Sequence, residues 1–295
     1  MKFAVLRGRR SPGCSSKESP VKKHLSTILL VLVLIIGLSL LLYPTVSDYW
    51  NSLHQSRAIV DYDAAMSELK PEDFSALFEA AERYNQELRK VSFPLMYHDE
   101  VAGYEEALDI SGTGIMGYIT IPKIDVQLPI YHGTSEGVLQ VAVGHVQGTS
   151  LPTGGVGTHS VFSAHRGLPS ARLFTDLDEM EVGDTFSITV LDRLMTYQVD
   201  QILIVEPQDV EELYVKEGKD YCTLVTCTPY GINSHRMLVR GYRIENPEEE
   251  AVIHVTADAL LIDPLMIAPI VAAPMLLILL IMLMLPKRKK KREES

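Results

Sequence analysis

Two long uncharged apolar runs, one near each end, constrain this chain more than any other feature. Residues 25–43 (LSTILLVLVLIIGLSLLLY) hold no charged side chain, and residues 265–285 repeat the pattern. At about 1.5 Å per residue in a helix, 19 residues reach roughly 28 Å, the thickness of a bilayer's hydrocarbon. Pro269 and Pro274 interrupt the second run, which a membrane helix tolerates better than a soluble one. A cleaved signal peptide is the alternative for the first run. Its apolar region would be shorter, and Pro44-Thr45-Val46-Ser47-Asp48 is a poor cleavage site. A buried core helix is the alternative for the second, but the run ends in KRKKKR.

Charge gives the orientation. Residues 1–24 carry seven Lys/Arg against one acid, and residues 286–295 carry six against two. Basic flanks outside both spans place both termini in the cytoplasm, and residues 44–264 on the far side of the bilayer. The formal net charge of −11 hides this distribution. Residues 25–285 hold 14 basic against 35 acidic residues, a net of −21. Such a middle repels phosphate backbones, so nucleic acid is excluded as a partner. The lipid bilayer is an expected one.

The predicted order is a basic cytoplasmic tail (1–24), a transmembrane helix (25–43) and a helical segment (44–92). A long connection (93–110), a β-rich domain (111–246) and a linker (247–264) follow. A second transmembrane helix (265–285) and basic tail (286–295) complete it. Residues 48–69 read as a helix of their own. In the next one Phe74, Leu77, Phe78, Ala81, Tyr84 and Leu88 recur at helical steps. Pro71, Glu72 and Asp73 suit its first turn. Residues 91–114 lack periodicity and read as a long connection. From Ile115 onward, short β-like runs cover 117–121, 123–130, 159–164, 185–190, 195–205, 221–226 and 236–244. Leu191-Asp192-Arg193 marks a hairpin. Many short strands with few helices among them point to a closed barrel or sandwich.

Three cysteines are too few for a disulfide scaffold. Cys14 falls in the cytoplasmic tail and reads as inert. Cys222 and Cys227 are five apart on one strand, so their side chains point to opposite faces. Their Cα atoms lie roughly 16 Å apart, too far for a disulfide. Cys222 alternates with Leu224 and reads as a small core hydrophobe. Cys227 ends its strand before Thr228-Pro229-Tyr230-Gly231, where the chain opens into a loop. Arg236 begins the next strand, and an antiparallel pair sets guanidinium beside thiol, favouring the thiolate. A histidine should act as acid and base. Chemistry alone does not select among His145, His159, His165 and His235; a buried thiol with an unrelated surface imidazole is the plainer reading. No spacing suits zinc.

Here the residues carry a resemblance. TLVTCTPYGINSHRMLVRG, residues 223–241, is very similar to the active-site stretch of sortases, a TLxTC strand with a following Arg. FSAHRGLPSARLF, residues 162–174, resembles the histidine segment of class C, the pilin-polymerising subfamily. GTGIMGYITIPKIDVQLPIYHGT, residues 112–134, resembles that subfamily's first two barrel strands. The second membrane span also resembles class C. The resemblance implies a mainly β fold: an eight-stranded sortase-type barrel preceded by N-terminal helices, with one transmembrane helix at each end.

It also implies a cysteine transpeptidase. Cys227 is the nucleophile, His165 the general acid and base, and Arg236 the group that holds the oxyanion and orients substrate. The expected partners are pilin or surface proteins with an LPXTG-like C-terminal sorting signal. The signal is cut between Thr and Gly through a thioacyl intermediate, which a pilin lysine amine resolves. No metal or organic cofactor is implied. A housekeeping sortase that anchors proteins to cell-wall peptide, or a catalytically idle sortase-like binding protein, is the alternative. The sequence departs from class C in one place. Residues 91–110 lack the Asp-Pro-aromatic lid motif, for which Ser92-Phe93-Pro94-Leu95 stands in, with Phe93 as the blocking ring.

Overall fold

The computed structural model describes residues 20–247, with side chains from residue 29 onward. The expected second membrane span, both basic tails apart from residues 20–24 of the first, and the linker from 248 lie outside the described residues. The chain divides into two compact units between Leu42 and Tyr43.

Helix α1 runs unbroken over Pro20–Ser67, with Pro44 inside it. The expected break between a span and a separate helix at residue 48 is absent. Proline removes one donor, and no glycine or cap follows within the next turns to end the helix. Among the described residues this is the one helix long and apolar enough to cross a membrane. In the second unit, α1 docks on the barrel through Tyr62, 1% exposed. Its hydroxyl donates to the Met116 carbonyl at 3.1 Å and accepts from the Leu191 N–H at 2.8 Å. Helix α2, Pro71–Leu88, starts on Pro71, and the Asp73 carboxylate accepts the Lys70 N–H at 3.0 Å. Its buried face is Phe78, Ala81, Tyr84, Asn85 and Leu88. Asn85 is hydrogen-bonded to both backbone groups of Leu151, which fixes α2 to the barrel.

The connection expected over 93–110 is not one loop. A short helix, α3 (Pro94–Tyr97), sits on the surface with Phe93 62% exposed. Pro94 and Leu95 press on Gly148, where an added Cβ would lie 2.6 Å from the Pro94 carbonyl oxygen. Tyr104, Ala107 and Leu108 are buried in the core. They sit in one turn, in which the Ala107 N–H donates to the Tyr104 carbonyl at 3.3 Å and Leu108 has φ +65°, too short to register as periodicity.

Strands β1 (Ile115–Ile121), β2 (Val126–His132), β3 (Val143–His145) and β4 (Thr158–Ser163) are followed by β5 (Thr185–Val190) and β6 (Arg193–Val205). Strands β7 (Asp220–Thr228) and β8 (His235–Arg243) complete the set, and helix α4 (Glu136–Leu139) precedes β3. They close into a barrel in the order β1-β2-β3-β4-β7-β8-β6-β5. The β2–β3 and β4–β7 pairs are parallel and the others antiparallel. The expected hairpin at residues 191–193 joins β5 to β6. Alternation sorts each strand: Phe162, Cys222 and Leu224 face the main core. Val161, Val225 and Leu238 form a second apolar cluster on the outer face of β4, β7 and β8, flanked by Val146, Leu203, Val205 and Leu213.

Candidate active site

The register of three neighbouring strands assembles the site. Strands β4 and β7 pair in parallel from Thr158↔Asp220 to Ser163↔Val225. One further rung follows, where the Ala164 N–H donates to the Val225 carbonyl at 3.2 Å. Continuing that offset sets His165 level with Cys227. On the other side β8 runs antiparallel, and Cys227 is paired with Arg236. Residues directly opposite on neighbouring strands share a face, with Cβ atoms about 5 Å apart. Cys227 shares its face with Val225, and Arg236 with Leu238, both in the outer cluster. His165 lies two residues past the end of β4, on the same alternation as Val161 and Ser163. The ladder joins Cys227 and Arg236 at one end of the outer face, its continuation past β4 sets His165 on their level, and all three are half-buried.

Local bonds hold the flanks. The Thr226 hydroxyl donates to the Ala164 carbonyl at 2.9 Å, fastening the start of the His165 loop to β7. Arg166, whose side chain is 10% exposed, pairs with Asp178 and donates to the Thr175 carbonyl at 3.0 Å and to the Thr228 hydroxyl at 3.5 Å. It therefore links the residue after His165 to the residue after Cys227. Gly167 has φ +75°, and an added Cβ would come 2.9 Å from the Tyr230 ring. Only glycine lets the loops after β4 and after β7 meet there. Arg236 donates to the carbonyls of Asn233 at 3.2 Å and His235 at 3.0 Å. Asn233, at φ +58°, turns its carbonyl toward the guanidinium.

The other thiol and imidazoles serve the fold. Cys222 is 1% exposed, and burial, reinforced by Asp220, pushes its thiol pKa well up. His145 Nε2 donates to the Ser150 carbonyl at 2.9 Å, so its Nδ1 accepts the Tyr104 hydroxyl at 2.9 Å. His159 Nδ1 donates to the Tyr214 carbonyl at 3.1 Å, so its Nε2 accepts the Thr223 hydroxyl at 2.7 Å. Burial lowers the pKa of both to about 4. His235 pairs with Thr228 in the ladder and lies 2.9 Å from the Ser234 hydroxyl.

A pH dependence follows from the two neutral imidazoles. With folded values near 4 and unfolded values near 6.5, the unfolded chain binds more protons between these limits. The stability they contribute is full above about pH 6.5 and is lost as pH falls toward 4, on the order of 3 kcal/mol for each. Denaturant titrations at pH 7.5 and 4.5 should give a clearly lower midpoint at pH 4.5. Equal midpoints would mean that neither imidazole gains a proton on unfolding.

Residues 119–244 match the model of the Sortase domain. The crystal structure of sortase C1 from Streptococcus agalactiae is 48% identical, with TM-score 0.60, over 65% of this chain and 100% of that one. The chain belongs to the sortase family. A structure of the lid-mutant of the same S. agalactiae sortase is 41% identical, with TM-score 0.60, over 65% of this chain and 99% of that one. The Streptococcus pneumoniae sortase C, whose structure is described as bearing on catalysis and pilin substrate specificity, is 42% identical. Its TM-score is 0.58 over 64% of this chain and 97% of that one. These close structural neighbours are class C sortases. Among curated relatives, Sortase D of Bacillus subtilis is 29% identical over 131 residues, 43% of this chain and 63% of that protein. The chain therefore spans less than two thirds of that relative's length.

Arg166, Asp178 and Thr228 brace these loops without forming a recognisable motif; their one mark in the sequence is an arginine directly after the histidine with an acid twelve residues on.

Proposed function

We propose that this sortase is a membrane-anchored transpeptidase that joins pilin subunits, with Cys227 as nucleophile, His165 as general acid and base, and Arg236 as oxyanion holder. The observation that carries the proposal is the register that sets Cys227 between His165 and Arg236 on one face. The Cys227 thiolate attacks the threonine carbonyl of an LPXTG-like signal, and Arg236 donates to the oxygen that gains charge. The Thr–Gly bond breaks, His165 gives its proton to the departing glycine amine, and a thioacyl intermediate remains on Cys227. A pilin lysine amine then attacks the thioacyl carbon, losing a proton to His165, and the thiolate is released.

The pilin assignment draws on the class C neighbours. In this proposal α1 anchors the chain, a second span follows the barrel, both termini are cytoplasmic, and the catalytic domain is extracellular. The access-limiting role expected for 93–110 is confined to its exposed first part, 93–103, because Tyr104, Ala107 and Leu108 are fixed in the core.

Intact-mass measurement on the full chain in detergent, mixed with a short LPXTG peptide, tests the chemistry. The expected result is an adduct equal to the acyl part of the peptide, present on the wild type and missing from Cys227→Ala. Peptide cleavage with no adduct at any time point would reject the thioacyl step. Offering a lysine-bearing pilin fragment and a cell-wall peptide together as acceptors tests the subfamily. Transfer to the cell-wall peptide alone would make the chain an anchoring sortase.

A further inference from the structure

The loop that carries His165 is tied at its base and at its tip, and the two ties come from different parts of the chain. At the base the loop bonds to itself. The His165 carbonyl accepts the Phe174 N–H at 3.1 Å, and the Gly167 N–H donates to the Thr175 hydroxyl at 3.2 Å. At the tip the partners are on α1. Asn51 Nδ2 donates to the Ser170 carbonyl at 2.8 Å, and the Arg172 N–H donates to the Asp48 carboxylate at 2.8 Å. These contacts join residues 119 and 124 positions apart. Asp48 and Asn51 are three apart on a helix and so share a face. Both are half-buried, whereas Trp50 between them is 64% exposed.

We infer that Asp48 and Asn51 are positioning residues for the reaction. They hold the tip of the loop on α1, which fixes the backbone that aims His165 at Cys227. The bond to Asp48 is charge-assisted and therefore stronger than a neutral one. Cut free at the tip, the loop retains its base but can pivot about it, and a general acid displaced by a fraction of an ångström loses rate. The catalytic site is then completed by a helix that lies outside the barrel. The inference rests on the roles proposed for His165 and Cys227.

Gln55 supplies an internal control. It lies one turn beyond Asn51, and its Nε2 donates at 2.7 Å to the Val141 carbonyl, in the segment between α4 and β3, so it bonds to no residue of the His165 loop itself. The test is steady-state cleavage of an LPXTG peptide by the full chain in detergent, with melting temperature and the pH profile of kcat/KM recorded for each variant. Asp48→Ala combined with Asn51→Ala should lower kcat about tenfold or more, leave KM within about twofold, and shift a limb of the pH profile. Asn51→Asp, which keeps size and removes the donor, should also lower kcat even if the double variant does not fold. Asp48→Asn keeps an acceptor oxygen and should retain activity within about twofold of wild type. Gln55→Ala should leave kcat and the pH profile unchanged. Wild-type kcat and pH profile in the double variant or in Asn51→Asp would overturn the inference. So would an equal fall in kcat for Gln55→Ala, since α1 would then supply only general stability. A wild-type chain without Cys227-dependent cleavage would overturn the functional reading itself, and this inference with it.

Discussion

Cys227→Ala should lower cleavage and transfer of a sorting peptide by at least about 10³-fold while the barrel stays folded. Cys222→Ala should do the reverse, keeping the activity and lowering stability by roughly 1–2 kcal/mol. The two thiols sit on one strand, yet only Cys227 shares the outer face with Arg236, whereas Cys222 is packed with Leu224 in the main core. Removing the Cys222 sulfur leaves a small void among packed side chains. Removing the Cys227 sulfur takes away the proposed nucleophile from a half-buried position and should disturb little else. Labelling with a thiol-reactive sorting peptide, followed by a urea titration of each variant, separates the two effects. Labelling that survives the loss of Cys227 would sink the assignment.

Arg236→Lys should be nearly as damaging as Arg236→Ala, each costing about 10²–10³-fold in kcat/KM. The guanidinium is a planar fork with five donors. Two main-chain carbonyls, those of Asn233 and His235, already accept from one end of it. That contact orients the plane and leaves the remaining N–H groups for the reacting carbonyl. A lysine ammonium carries the same charge on a flexible stem, and satisfying the loop carbonyls draws it away from the oxyanion. Retention of most of the wild-type kcat/KM in the lysine variant would show that Arg236 supplies charge alone.

Much of this site was legible in the sequence because strand arithmetic is strict. An odd separation splits Cys222 from Cys227, and the Pro229-Tyr230-Gly231 turn returns the chain so that Arg236 meets Cys227. What stayed illegible depends on distance and burial. His145 and His159 look as able as His165 until the structure surrounds them with a carbonyl and a hydroxyl each. Strand β3 is three residues long and pairs in parallel with β2, so it has neither the length nor the local partner to leave a pattern. The span expected over 25–43 continues through Pro44 into one helix that reaches Ser67. The fastening of the His165 loop to Asp48 and Asn51 joins segments too far apart for any local rule to find.

Closure of the barrel has a consequence for recognition. Strand β1 pairs with β5 as well as with β2, so the ring has no terminal strand. An open sheet can capture an extended peptide by adding it as one more strand, reading the backbone without regard to side chains. Here that route is shut along β7, because β4 and β8 already flank it. Discrimination between one peptide and another must then come from the side chains that line the outer face and from the loops at its rim. Exchanging those loops should change which peptides are accepted while leaving the barrel intact.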